Sequence, residues 1–183
     1  MIARLLIYFL SLVSLIYSSS INDKAIKRIN KLFPNSIKIE ESKLGIKEKE
    51  ILFIESKLKQ KFHSNELHVW EVLTNNKKKY TAILDNVMGK SMPITFLIVF
   101  NENNDIHNIS IIKYREPYGG EIRSTRWLKQ FENLNYSSNY KIGSSIDGIS
   151  GATISTNSIS RGANKLALLL EVKDKGLSIN SYE

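Results

Sequence analysis

The sequence contains a nearly uninterrupted apolar run, Ile94-Thr95-Phe96-Leu97-Ile98-Val99-Phe100. Its short length and its β-branched and aromatic residues favour a strand over a helix. Pro93 precedes the run and Asn101 follows it, so the strand is bounded at both ends. Because the run is apolar on both faces, it predicts a central strand that is buried on both sides of a sheet.

Three further strands are predicted around this one. Residues 67–74 and 80–87 are separated by a polar turn at residues 75–79, which is typical of an antiparallel hairpin. Asn103-Asn104-Asp105 provides another turn, and residues 106–114 return as the next strand. This order predicts four consecutive strands with short connections in one mainly antiparallel sheet.

Helices are predicted before and after these strands. The N-terminal segment, residues 21–66, is expected to be helical, with one helix that ends at Pro34 and a second over residues 47–62. After the strands we expect a helix around Trp127 and a strongly amphipathic helix from Ile159 to Leu170. The sequence therefore predicts an α+β fold, in which helices pack on a mainly antiparallel sheet of about four strands.

Residues 1–20 differ in composition from the rest of the chain. Arg4 is followed by an apolar stretch and then by Ser18-Ser19-Ser20, which is typical of a secretory signal peptide. A retained membrane anchor and a buried N-terminal helix are the alternatives, although a membrane span usually needs about 20 apolar residues. We therefore expect an exported protein, in the periplasm or on the outer face of the cytoplasmic membrane. Membrane association through the N-terminus is also expected to be possible.

The composition excludes several classes of function. The chain of 183 residues has no cysteine, which excludes a disulfide scaffold, thiolate zinc sites and iron–sulfur clusters. The net charge is +8, but the lysines are spread along the chain, and their one run, Lys77-Lys78-Lys79, lies in the polar turn at residues 75–79. We therefore expect no nucleic-acid partner. His63, His68 and His107 lack the spacing of metal ligands, so no metal site is predicted.

A loop of small residues before the last helix carries the candidate chemistry. It reads Ile146-Asp147-Gly148-Ile149-Ser150-Gly151-Ala152-Thr153-Ile154-Ser155-Thr156. Free amides and the positive end of the helix dipole favour phosphate binding at a helix start, and glycine permits positive φ. A hydroxyl beside a phosphate can donate a hydrogen bond or form an ester. The alternative is structural, with Ser155 or Thr156 capping the helix and the glycines forming a tight turn.

The segment Asp147-x-x-Ser150-Gly151-Ala152-Thr153 resembles the flavinylation motif of the FMN-binding domain family. This family includes the C subunit of the sodium-translocating NADH:quinone reductase and the G subunit of the Rnf complex. The loop Glu116-Pro117-Tyr118-Gly119-Gly120-Glu121 is similar to the family's glutamate–proline–glycine loop, although Tyr118 precedes the glycine pair. The resemblance implies an FMN-binding domain at residues 67–183, after a leader at residues 1–20 and the helical segment at residues 21–66.

The resemblance also implies a covalent cofactor. FMN is expected to be joined by a phosphoester to Thr153, and a separate flavin transferase is expected to attach it from FAD with Mg²⁺. No catalytic residue and no metal ligand of the mature protein are implied. The remaining cofactor-binding residues that the motif and the loop predict are Asp147, Ser150, Gly151, Ala152, Ser155, Glu116, Gly119, Gly120 and Glu121.

The function that follows is an exported electron carrier, which exchanges electrons with membrane or extracytoplasmic redox proteins. Two alternatives stay open: a flavin-dependent reductase of a small extracytoplasmic acceptor, and a non-redox exported binding module. Cations raise the potential of a flavin when they lie near its ring, and Arg115, Arg123 and Arg126 are candidates. Tyr118 and Trp127 are candidates for stacking on the ring.

Overall fold

The computed structural model describes residues 21–175. The predicted leader, residues 1–20, lies outside the described residues. The chain divides into two compact units, of which the first ends at Pro34 and the second begins at Asn35. In the described part of the first unit, residues 21–32 form helix α1, whose buried positions include Ala25 and Ile29. Among residues 21–175, no helix has the length and apolar character of a membrane span.

The second unit is built on one antiparallel sheet. Its five strands are β1 (Ser36–Gly45), β2 (Glu66–Thr74), β3 (Lys79–Met88), β4 (Pro93–Phe100) and β5 (Ile106–Lys113). They lie in the order β1-β2-β3-β4-β5, so each strand pairs with its neighbour in the sequence. The α+β class and the four predicted strands are therefore confirmed. The central position of β4 is confirmed as well, since all its residues after Pro93 are buried.

Strand β1 corrects the prediction for residues 21–66, which were expected to be helical. It is an edge strand, and its residues pair with β2 in a register that places Ser42 opposite Val69. Most of its side chains are exposed, and Ile37 is 65% exposed. The side chains of β1 are mostly polar. The segment therefore lacks the sustained apolar alternation by which a half-buried strand is recognised in a sequence.

Helix α2 (Glu48–Leu58) is shorter than the predicted helix over residues 47–62. The Glu50 carboxylate accepts a hydrogen bond from the Lys47 amide (2.9 Å), which satisfies a free donor at the helix start. The helix ends where Lys59 adopts a left-handed conformation with φ of 53°. The helix predicted around Trp127 is also short: α3 (Thr125–Leu128) continues as a 3₁₀ turn over Lys129–Phe131.

The long helix α4 (Thr153–Lys175) covers one face of the sheet. Gly162 lies so close to β3 and β4 that an added Cβ would be 2.7 Å from Val87 and 3.0 Å from Phe96. The fully buried Lys165 forms an ion pair with Asp85 of β3, with 2.7 Å between Nζ and Oδ2. These contacts hold the middle of α4 against β3 and β4. The start of α4 therefore lies near the end of the sheet at which β3 ends and β4 begins.

Candidate functional site

Thr153 is the first residue of α4, and its side chain is exposed. The turn before it is fixed by Gly151, which has φ of +77°, and by a hydrogen bond from the Ala152 amide to the Ile149 carbonyl (3.0 Å). The Thr156 amide makes the first helical bond, to the Ala152 carbonyl. The amides of residues 153–155 precede it and have no helical acceptor. The Thr153 hydroxyl thus lies beside donors suited to a phosphate.

An open groove of about 600 Å³ begins at this helix start. One wall is the end of the motif loop with the first turn of α4, and the other comes from residues 90–91 and from the glycine loop. Five of the predicted site residues line the groove: Glu116, Gly151, Ala152, Thr153 and Ser155. The structure therefore brings together the start of the glycine loop and the end of the motif, which are far apart in the sequence.

The two loops touch at Gly119. Its φ is +77°, and an added Cβ would lie 2.9 Å from both the Ala152 Cβ and the Tyr114 hydroxyl oxygen. Such distances leave no room for a side chain, so the position requires glycine in both conformation and size. The Tyr114 hydroxyl also donates a hydrogen bond to the Tyr118 carbonyl. The glycine loop is therefore held against the residue that precedes Thr153.

Glu116 holds the turn between β3 and β4. Its Oε1 accepts hydrogen bonds from the amides of Ser91 (2.7 Å) and Met92 (3.0 Å). These bonds, with the Ser91 amide first, hold the pKa of the Glu116 carboxyl below its ordinary value. An added Cβ on Gly89 would lie 2.6 Å from the same oxygen. Glu116 thus shapes the groove by fixing one of its walls.

A comparison with protein-family models matches residues 89–167 to the FMN-binding domain. The chain contains an FMN-binding domain. Every residue that lines the groove, from Lys90 to Ser155, falls within the matched region. The chain is therefore a flavin-binding protein. Comparison with curated proteins found no match to this chain.

The groove of the FMN-binding domain fits the cofactor in size and in chemistry. Its volume of about 600 Å³ is within the range of about 300–1,000 Å³ that is usual for small-molecule sites. The helix start offers amide donors for a phosphate, and Lys90 is the cation among the groove-lining residues. Pro117, Tyr118 and Ile154 give the groove an apolar surface suited to a flat ring.

The other predicted residues lie outside this groove. Asp147 and Glu121 line a neighbouring groove of about 350 Å³. The Asp147 backbone is anchored there, since its carbonyl accepts from Trp127 Nε1 and its amide donates to Gln130 Oε1 (both 2.8 Å). Ser150 is exposed in the turn before Gly151.

Gly120, which was predicted to bind the cofactor, and Gly148 of the motif loop also lie away from the groove lining. An added Cβ on Gly120 would be 3.0 Å from an Arg123 guanidinium nitrogen. Gly148, which was expected to be able to adopt positive φ, does not adopt it. The motif loop therefore requires the left-handed conformation of glycine at Gly151 but not at Gly148.

Two of the three candidate arginines, Arg115 and Arg123, form hydrogen bonds that hold the loops. Arg115 donates to the Pro93 carbonyl (2.7 Å) and to Thr95, which fastens the glycine loop to β4. Arg123 donates to the Gly120 carbonyl (3.2 Å). Arg126 lines the smaller groove with Asp147. None of the three lines the groove that contains Thr153.

Sequence reasoning missed Lys90 and Ser91 as groove residues. They belong to the turn between β3 and β4, and no motif in the sequence distinguishes that turn. The Glu116 carboxylate brings it to the glycine loop. The one available signal for this contact was a glutamate at the start of a glycine-rich loop. A carboxylate can accept hydrogen bonds from many donors, so the sequence does not indicate which turn it binds.

Glu116→Ala is expected to lower stability at neutral pH and to have less effect in acid. The folded protein holds the pKa of Glu116 below its ordinary value. The hydrogen bonds of Glu116 therefore stabilise the fold fully at a pH above the ordinary pKa. This stabilisation is lost as the pH falls through the lowered pKa of the folded state. Urea unfolding of both proteins from about pH 7 to about pH 3 spans the carboxyl range. Glu121→Ala removes an exposed carboxylate of the same loop as the control. Equal pH dependence in the two variants would contradict the role of Glu116.

Proposed function

We propose that the protein is an exported electron carrier whose FMN is joined by a phosphoester to Thr153. The observation that carries this proposal is the position of the Thr153 hydroxyl. It is exposed at the start of α4, beside free amides, in the groove of an FMN-binding domain. A buried hydroxyl such as that of Thr156, which donates to the Thr153 carbonyl (3.0 Å), lacks this access.

The attachment reaction uses FAD as the donor and a separate flavin transferase with Mg²⁺. The Thr153 hydroxyl oxygen attacks the phosphorus on the FMN side of the FAD pyrophosphate. The bond from that phosphorus to the bridging oxygen breaks, AMP leaves with the bridging oxygen, and the hydroxyl proton is released. No electron is gained or lost in this step. The exposure of Thr153 supports the proposal, because a second protein must reach the hydroxyl.

The residues around Thr153 have distinct roles in this proposal. The amides of residues 153–155 and the left-handed Gly151 hold the esterified phosphate. Lys90 offsets negative charge in the groove, and Glu116 keeps its turn in place. When bound, the flavin supplies the capacity to accept and donate electrons, while the protein orients it and tunes its potential.

Export supports covalent attachment, since a cofactor that dissociated outside the cytoplasm would be lost. The composition of residues 1–20 supports export. The redox partners in this proposal are membrane or extracytoplasmic proteins that approach the open groove.

Thr153→Val is expected to abolish flavin attachment. After co-expression with a flavin transferase, the intact mass of the wild-type protein should increase by FMN minus water, and the variant should keep its unmodified mass. The reason is that valine has the shape of threonine but no nucleophilic oxygen. Thr125→Val is the matched control, because Thr125 is also exposed and is also the first residue of a helix.

Two outcomes would contradict the proposal. The first is a wild-type protein that keeps its unmodified mass in the presence of an active transferase. The second is a mass increase that persists in Thr153→Val, whether or not it is lost in Thr125→Val.

A further inference from the structure

We infer that Tyr118 covers one face of the flavin ring, an inference that rests on the attachment of FMN at Thr153. The Tyr118 side chain lines the same groove as Thr153. Gly119 contacts Ala152 so closely that no Cβ fits between them. Tyr118 therefore belongs to the loop that touches the residue directly before the acceptor, within reach of a ring tethered there.

The backbone of Tyr118 is fixed, whereas its ring faces solvent. The Tyr118 carbonyl accepts the hydrogen bond from Tyr114, and the next residue is fixed in a left-handed conformation. The side chain is nevertheless 82% exposed. A fixed backbone with an exposed aromatic ring is preorganised to stack on a ligand, because little order is lost on binding.

Apolar neighbours favour a flat aromatic ligand at this position. Ile154 is 51% exposed and lines the groove, as does the exposed Pro117. A ring that enters between Tyr118 and Ile154 would remove both apolar surfaces from water. Aromatic rings also favour offset stacking on one another. The chemistry of the groove thus favours the isoalloxazine ring as its occupant.

The other nearby aromatic residues are already engaged. Trp127 is 4% exposed, packs edge-on against Phe131 and donates its indole hydrogen to the Asp147 carbonyl. Tyr114 donates its hydroxyl to the Tyr118 carbonyl, and the Arg123 guanidinium lies 5.9 Å from its ring centroid. Of the two stacking candidates in the sequence, Tyr118 is therefore the one whose ring is available.

The flavin fluorescence lifetime of the fully loaded protein tests this inference. A tyrosine in contact with an excited flavin shortens the fluorescence lifetime of the flavin. The tyrosine donates an electron to the excited flavin, and the electron then returns to the tyrosine without emission of light. Tyr118→Leu and Tyr118→Phe are each expected to lengthen the lifetime several-fold, since neither residue is a comparable donor. Tyr118→Trp should keep it short. Tyr136→Leu is the control, because Tyr136 is also exposed and does not line the groove.

Collisional quenching by iodide provides a second readout. Iodide should reach the ring more readily in Tyr118→Leu than in Tyr118→Phe, because phenylalanine still covers one face. An unchanged lifetime in loaded Tyr118→Leu and Tyr118→Phe would overturn the inference. A lifetime that lengthens in Tyr114→Phe alone would also overturn it. Intact mass separates the two proposals: an unmodified wild-type protein defeats both, whereas a loaded protein with unchanged lifetimes defeats this one alone.

Discussion

Lys165→Met is expected to lower the free energy of unfolding by about 3–5 kcal/mol, because it leaves the buried Asp85 carboxylate without a cation. The side chains of Lys165 and Asp85 are 0% and 3% exposed. Water therefore cannot replace the lost partner. This expected loss is a large fraction of the total stability of a typical domain.

The Lys165 ammonium group has three neighbours in the folded protein. It lies 2.7 Å from Asp85 Oδ2, donates to the Lys61 carbonyl (2.9 Å) and lies 4.2 Å from the centroid of the Phe62 ring. These contacts join α4 to β3 and to the segment that follows α2. Because methionine fills a similar volume, the variant tests the loss of charge and hydrogen bonds more than the loss of packing.

Urea unfolding of single and double variants measures this effect. Lys38→Met is the control, since Lys38 and Glu40 form an ion pair whose side chains are 57% and 61% exposed. Exposed pairs contribute about 0.2–1 kcal/mol. The double variant Lys165→Met/Asp85→Leu should recover most of the lost stability, because no charge stays buried. If Lys165→Met were no more destabilised than Lys38→Met, the buried pair would not have the assigned role.

The sequence did not predict that Lys165 is buried. The apolar positions from Ile159 to Leu170 define one buried face of α4, and Lys165 lies on the opposite side of that pattern. The structure nevertheless buries every residue from Lys165 to Val172. The reason is that α2 packs against α4 in addition to the sheet. Helix periodicity shows that one face is buried, but it cannot show that a second element covers the other.

The candidate site was predictable to the extent that it depends on local chemistry. Gly151, Ala152, Thr153 and Ser155 were assigned from a small-residue loop at a predicted helix start together with the resemblance to the flavinylation motif, and they do line one groove. Asp147 belongs to the same motif but faces the smaller groove, because its backbone is bonded to Trp127 and Gln130. Such long-range hydrogen bonds leave no pattern in one sequence.

Gly162→Leu is expected to destabilise the protein by about 3 kcal/mol, the upper end of the range for overpacking. Even an added Cβ at this position would lie 2.7 Å from the Val87 side chain and 3.0 Å from the Phe96 ring. Val87 and Phe96 are fully buried, so neither can move without disturbing the core. Leucine is preferred over glycine inside a helix by about 1 kcal/mol, which offsets the cost only in part.

The same substitution connects core packing to the site, because α4 carries Thr153 at its start. A helix displaced from β3 and β4 would move the Thr153 hydroxyl, at which we propose that FMN is attached, away from the glycine loop. Stability should therefore fall and, under that proposal, flavin loading should fall with it. Gly45→Leu is the control: nothing lies within 4 Å of an added Cβ there, and we expect a change within about 0.5 kcal/mol. Thermal unfolding and intact mass measure the two effects. Normal stability in Gly162→Leu would mean that α4 does not require this close approach to the sheet.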